Sequence, residues 1–407
     1  MKTVLKQIFS PRRLIVWLFL IILILTVPEI TRPSLSQTEA VVTMLCVDKK
    51  DDLVQVATTV LTPAQEKTAN YEIFSGTGET IGEAIDNIAL SMGKEMGFAQ
   101  CEILGFGDKL CEEGIIPSLD FFIRTKRVGR NAVLLNFTGE AKEFAQAVAD
   151  MSMKKALKLN DVLNYDNRYI LIEDSNVDSF YRGYFSDISL GIMPQIKFDV
   201  NETDNAIAVQ GASNESAPLE KNKQKAEKFL INNGTIIVFK NGKKDLTIEP
   251  EMVKKINLFV NSAQEGVVKV ENVYDELYNN ASVILNIQKK DTKIKTNFED
   301  GKPVYEVKTN LTLLIEEVVS ENPDKNFLRR NKDFFTPTLI KAIEEQVLKD
   351  MNEAIEFCKE NKVDLIDVYR HFNALKHKEF DVYLKDKKED YLQDVEYKTS
   401  VKIALSY

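Results

Sequence analysis

A cluster of basic residues is the group of side chains in this sequence best suited to chemistry. Arg124, Lys126, Arg127 and Arg130 lie close together in a chain whose formal net charge is −9. The guanidinium fork matches carboxylates and phosphates, so the cluster fits a docking surface for an acidic partner or a lipid headgroup. A solvated loop whose charges pair with nearby acids fits the same pattern. We take these four residues as candidate partner-binding residues and expect Lys126 and Arg127 to lie in solvent.

A glycine-rich segment at 75–82 is the nearest match to a phosphate-binding loop. Its glycines stand at 76, 78 and 82, which misses the G-x-G-x-x-G spacing, and no lysine follows as a P-loop requires. The segment therefore predicts a turn that leads into a helix at Thr80.

Cysteines and histidines offer little further chemistry. The cysteines contain no C-x-x-C pair and are Cys46, Cys101, Cys111 and Cys358. This argues against a tetrahedral zinc site, while a disulfide between Cys101 and Cys111 stays open. The two histidines, His371 and His377, have no carboxylate or cysteine partner at ligand spacing. We therefore predict no catalytic, metal-binding or cofactor-binding residue and no cofactor.

The composition is that of a globular protein. Hydrophobic residues make up 44% and charged residues 28% of the 407 positions, which argues against disorder, collagen and a multi-span membrane protein. Four cysteines are too few for a disulfide scaffold. No basic stripe is present, so we do not expect nucleic-acid binding.

Residues 1–36 carry the pattern of a membrane anchor. Four basic residues precede an apolar run from Leu14 to Val27, and no acid comes before that run. This charge layout keeps an N-terminus in the cytoplasm and exports the chain beyond the apolar run. As a helix the run covers about 21 Å, less than the roughly 30 Å of a bilayer core. We favour an uncleaved signal anchor over a signal peptide, because Ser34 and Ser36 form only a weak cleavage site.

Three blocks come after the anchor and together predict a mixed α/β or α+β fold. Block 37–191 alternates strands with helices. Block 192–275 contains a polar linker and a small middle domain with a hairpin at Asn241-Gly242. Block 276–407 predicts a long helix from Pro337 to about Asn361, packed on an antiparallel sheet that includes the strand at 395–405. These blocks are our three predicted domains.

Three segments resemble Ger(x)C proteins, the C subunits of spore nutrient germinant receptors. Gly78–Ala84 is similar to the beginning of a helix in that family, where a glycine is followed by Thr-hydrophobic-x-x-Ala. Cys101–Arg130 resembles a family segment in which a strand is followed by G-x-x-L-x-x-x-G-I and then by L-D-F-hydrophobic-x-R. Phe357–Phe372 resembles the segment after its long helix, where an Asp precedes two apolar residues, and the hairpin strand at 234–240 fits its second domain.

The resemblance implies a non-catalytic receptor subunit in spore germination. It implies a three-domain ectodomain, tethered outside the membrane, that works with two membrane-embedded subunits. This sequence departs from the family because it lacks the acylated cysteine of a lipoprotein and the tryptophans after the last helix. Two alternatives are an extracytoplasmic small-ligand-binding protein and a cell-wall-directed enzyme.

Overall fold

The computed structural model describes residues 39–62, 70–125, 127–155, 159, 175–200, 228–231, 234–260, 266–274, 278, 280–319 and 335–406. Within these ranges two β-sheets pack against helices, so the predicted mixed class is confirmed. The predicted anchor in residues 1–36 lies outside the described residues, as does Lys126 of the basic cluster.

The first sheet has ten strands among the described residues. In chain order they are β1 (Glu39–Lys50), β2 (Leu53–Thr62), β3 (Asn70–Gly78), β4 (Glu95–Gly97), β5 (Ile103–Gly107), β6 (Val133–Phe137), β7 (Leu190–Val200), β8 (Lys228–Ile231), β9 (Ile236–Lys240) and β10 (Lys243–Ile248). Across the sheet the order is β10-β9-β7-β6-β5-β1-β2-β3, with β4 beside β1 and β8 beside β7. The central strands β1, β5, β6 and β7 are parallel, whereas hairpins at both sides add antiparallel strands.

Helices cover both faces of this sheet. They are α1 (Ile81–Met92), α2 (Asp108–Glu113), α3 (Ile116–Thr125), α4 (Ala141–Lys155) and α5 (Val177–Tyr184). Helices α1, α2, α3 and α5 share one core with residues such as Leu45, Leu104 and Leu134. Helix α4 packs on the opposite face, where Phe137 and Phe144 stack with ring centroids 4.8 Å apart. Parallel strands usually need both faces of their sheet to be covered.

Local signals in the sequence set several boundaries. Asp51 and Asp52, both with positive φ, form the turn between β1 and β2. The side chain of Thr80 accepts a hydrogen bond from the Glu83 amide and begins α1, as an N-cap does. Helix α2 begins at Asp108, and Gly107 is its N-cap.

The glycine-rich segment is a strand for half its length, and not the predicted turn. Ser75 to Gly78 belong to β3. A Cβ at Gly76 would lie 2.5 Å from the Ala84 carbonyl oxygen, and one at Gly78 would lie 2.7 Å from the Ala84 amide nitrogen. The glycines therefore let α1 approach the strand closely, which is a packing role.

The second sheet has four strands in the described residues, in the order β11-β12-β13-β14. They are β11 (Gly266–Val273), β12 (Ala281–Glu299), β13 (Lys302–Val319) and β14 (Glu396–Leu405). The predicted antiparallel arrangement applies to the first three strands only. Strand β14 is parallel to β13, because two long helices carry the chain back to the end of the sheet where β13 began.

Among the described residues, three α-helices pack on the second sheet and form with it the second unit of the molecule. They are α6 (Pro250–Ile256), α7 (Pro337–Asn361) and α8 (Val368–Lys387). Helix α7 has the predicted bounds, with Pro337 in its first turn and the Thr336 hydroxyl accepting from the Leu339 amide at 3.1 Å. Its buried face includes Ile343, Val347 and Met351.

Strand β9 joins the first unit, which is built on the first sheet, to the second unit, which is built on the second sheet. Ile236 and Val238 belong to the core of the second unit, whereas Ile237 and Phe239 belong to a core of the first sheet. The hairpin predicted in the middle domain thus lies in the first sheet, and α6, which comes after it, packs on the second core. The division into domains 37–191, 192–275 and 276–407 stays a prediction.

Candidate partner-binding surface

The predicted basic cluster lies where α3 ends and the chain leads into β6. Arg124 is in the last turn of α3, which suits a cation because the helix C-terminus carries partial negative charge. Its Nε and Nη2 donate to the carboxylate of Asp120 one turn earlier, at 2.9 to 3.0 Å. The Arg124 side chain is nevertheless 75% exposed.

Arg130 lies further along the loop and pairs with a different helix. Its Nη1 lies 3.6 Å from Oδ1 of Asp178 on α5, and its carbonyl accepts from the Asp178 amide. The Arg130 side chain is 76% exposed. Arg182, one turn along α5, also binds Asp178, at 3.2 Å. Arg182 was not among the predicted residues, although its i,i+4 spacing from Asp178 is a recognisable helical signal.

Arg127 has a different environment from the one predicted. Its guanidinium carbon lies 5.5 Å from the ring centroid of Phe98 and 5.8 Å from that of Phe121. It is half-buried on these rings, in the geometry of cation–π contacts. The expectation that Arg127 lies in solvent is therefore wrong, because the aromatic faces attract it.

The ion pairs that Arg124 and Arg130 make with acids of their own chain leave both arginines able to bind a partner. Exposed ion pairs contribute roughly 0–1 kcal/mol because water and salt screen them. A partner carboxylate or phosphate can thus replace Asp120 or Asp178 at small cost. The arrangement is two exposed guanidiniums with a third resting on aromatic rings, all on one stretch of chain.

The four thiols are buried and have no disulfide. Burial raises the pKa of Cys101, Cys111 and Cys358 to about 12, and it raises that of Cys46 as well. A thiolate nucleophile is strongly disfavoured at neutral pH in such surroundings. The disulfide left open between Cys101 and Cys111 is absent. The Cys101 thiol faces the Ile103 carbonyl, and the Cys111 thiol faces the Phe106 carbonyl.

Histidines and acids do not assemble a metal site in the described part of the chain. Nδ1 of His377 lies 2.5 Å from the Asn373 side-chain oxygen on α8. His371 lies beside the Tyr305 ring. No group of three or more His, Cys, Asp and Glu residues within the described ranges could hold a metal ion. No helix in those ranges is long and apolar enough to cross a membrane.

Two family models match the chain over most of its length. The model described as the spore germination protein N-terminal domain matches residues 37–198, and the spore germination B3/GerAC-like C-terminal model matches residues 233–407. The chain belongs to the GerAC-like family of spore germination proteins. The predicted resemblance is thus confirmed, as is a role in spore germination as a germinant receptor C subunit.

Comparison with solved structures gives a match to the crystal structure of the GerBC protein. The two chains are 14% identical, with a TM-score of 0.48, and the match covers 89% of this GerAC-like chain and 97% of the other. No curated protein matches the chain. The C subunits of germinant receptors are membrane-associated parts of a receptor complex and are generally non-catalytic.

Proposed function

We propose that this GerAC-like chain is a non-catalytic receptor subunit whose folded part stands outside the membrane and binds two membrane-embedded subunits. The apolar run Leu14–Val27 behind four basic residues supports an uncleaved anchor with a cytoplasmic N-terminus. The exported part is acidic, so it should stand off an anionic membrane surface and not lie on it.

The observation that carries the docking proposal is the exposure of Arg124 and Arg130. Each keeps about three quarters of its side chain in solvent while paired to an acid of its own chain. In an acidic molecule they form a local basic surface that an acidic partner can approach. Together with Lys126 and Arg127, they are the residues that we assign to partner binding.

The experiment is a pull-down of the membrane subunits with the double variant Arg124→Glu/Arg130→Glu. Rim charges act mainly on association rate and salt dependence, so recovery should fall, and should fall more at low salt. The matched control is Lys341→Glu/Lys385→Glu. These lysines are 78% and 75% exposed, and each pairs with an acid at i,i+4, as Arg124 does. Equal recovery of both variants at low salt, with unchanged circular dichroism, would contradict the docking surface.

The anchor has a separate test. N-terminal analysis of the mature chain from membranes should find residues 1–36 intact, and a protease added outside should digest only the part beyond the anchor. A soluble mature chain that begins near Gln37 would contradict the anchor and leave the receptor role intact.

The assignment as a non-catalytic receptor subunit has two alternatives. Buried, high-pKa thiols support the absence of a cysteine nucleophile. A cell-wall-directed enzyme would turn over wall glycan or peptide, so turnover by the purified chain would overturn the assignment. A small-ligand-binding protein would not co-purify with the membrane subunits, so its recovery without them from membranes would favour that alternative.

A further inference from the structure

A cleft of about 650 Å³ lies in the second unit, between the sheet strands β11 and β12 and the helices α6 and α7. Its lining holds five lysines and three acids, although the whole chain has a net charge of −9. Lysines at its mouth are paired: Lys254 with Glu251, and Lys255 with Glu353. Lys290, deeper in the cleft, has no carboxylate partner among the described residues.

A β-bulge turns Lys290 toward the interior. In the first half of β12 the buried positions are odd-numbered, as at Leu285 and Ile287. The pairing with β13 slips by one residue between Ile287 and Lys289, and the next buried positions are Lys290 and Thr292. A slip of one residue exchanges the two faces of a strand, and bulges often re-aim side chains at functional sites.

The buried ammonium has one described partner, which is a backbone carbonyl. Lys290 is 3% exposed, and its Nζ donates to the carbonyl oxygen of Asn257 at the end of α6. This contact satisfies part of the hydrogen-bonding capacity of the ammonium, and the C-terminus of a helix favours a positive charge. It leaves the positive charge without an anion among the described residues, and burial lowers the pKa of Lys290 to about 7.

Within the described residues, the side chain of Asn257 is unpartnered. Asn257 lines the same cleft and is 5% exposed, and neither its amide nitrogen nor its amide oxygen has a hydrogen-bond partner in the part of the chain that the structure describes. A buried polar group without a partner destabilises the folded state. Such groups in native structures call for an explanation, such as a ligand that supplies the missing contacts.

We propose that this cleft binds a small aliphatic monocarboxylate, whose carboxylate pairs with Lys290 and accepts a hydrogen bond from the Asn257 side chain. A single negative charge matches Lys290, the one buried lysine among the described residues that line the cleft. Apolar side chains of Val268, Ile287 and Val347 line the cleft and suit a short hydrocarbon chain. None of the four residues assigned to partner binding lines this cleft.

The experiment is a calorimetric titration of the full-length chain in mild detergent with butyrate at pH 6.5. We expect saturable binding to one site and a rise in melting temperature. Binding requires the protonated amine, so it should weaken with rising pH and take up a proton above pH 7. Lys290→Met should weaken binding at least about tenfold, since it removes one partner of a buried charge pair. Asn257→Ala should weaken it less.

The control is Lys254→Met, which removes a cleft lysine that is already paired with Glu251, and which should bind as the wild type does. Absence of saturable binding at pH 6.5 would overturn the proposal, as would equal affinity of wild type and Lys290→Met. Inorganic phosphate that binds more tightly than butyrate would also overturn it. If Lys290→Met does not fold, unchanged butyrate affinity in Asn257→Ala would decide against it.

Discussion

The hydroxyl of Tyr391 donates a 2.8 Å hydrogen bond to the carboxylate of Asp364, and both residues are buried. The same carboxylate accepts the amides of Val368 and Tyr369 in the first turn of α8. Asp364 therefore satisfies two backbone amides in the first turn of this helix and joins the helix to the segment that precedes β14. This gives a structural reason for an Asp before two apolar residues in the segment after α7.

Tyr391→Phe should destabilise the second unit. It removes one hydrogen bond to a buried carboxylate, which costs about 1.5–3 kcal/mol in free energy of unfolding. Chemical denaturation measures the change. Tyr274→Phe is the control, because Tyr274 is 72% exposed, and it should have no measurable effect. Equal stability of the two variants would mean that the Asp364 contact contributes nothing.

Gly76→Ala should destabilise the first unit by about 1–3 kcal/mol, since the new methyl group would meet the backbone of α1. Gly129→Ala is the matched control. A Cβ at exposed Gly129 meets nothing within 4 Å, so its effect should stay within about 0.5 kcal/mol. Thermal unfolding of the two variants compares them directly. A Gly76→Ala variant as stable as Gly129→Ala would refute the packing role.

Met351→Asp should unfold the second unit, because it places an unpaired charge at a fully buried position of α7. The expected loss is several kcal/mol. Leu375→Asp makes the same kind of change on α8, where Leu375 is 63% exposed, and it should be tolerated. Circular dichroism and melting temperature are the measurements, and similar melting temperatures would show that the buried face of α7 is assigned wrongly.

Lys290→Met should change how stability depends on pH. The pKa of Lys290 is about 7 in the folded state, against 10.5 for an ordinary lysine, so between these values the unfolded chain holds more protons. Wild-type stability should therefore gain up to about 1.4 kcal/mol per pH unit from this group as pH rises from about 7 toward 10. Below pH 7 the destabilisation by Lys290 is fully present.

The methionine variant lacks this gain. Denaturation of both proteins at pH 6.5, 8 and 9.5 should show that the stability of the wild type rises relative to that of the variant at each step in pH. Parallel pH profiles would contradict a titrating Lys290. Ligand-free buffer is needed, because a bound carboxylate would raise the lysine pKa again.

Elements with strong local signals could be predicted from the sequence. The turn at Asn241-Gly242 and the beginning of α7 at Thr336 and Pro337 depend on residues with narrow backbone preferences. The alternation in β14 likewise indicated a half-buried strand. Such signals act over a few residues and need no knowledge of the rest of the chain.

Features that depend on distant partners could not be predicted. The parallel pairing of β14 with β13 depends on the path through α7 and α8. The inward orientation of Lys290 depends on a bulge, which period-two alternation does not reveal. The contact of Arg127 with Phe98 joins residues that are separate in sequence, so composition alone placed this arginine in solvent.

Strand β9 has a mechanical consequence for the whole molecule. Because its alternate side chains are buried in two different cores, neither unit can slide or melt without disturbing the other. A load applied to the second unit should therefore reach the central strands of the first sheet through β9 and its neighbour β7. Single-molecule stretching should find both units yielding together, as one cooperative body through which a pull at one end is transmitted to the other.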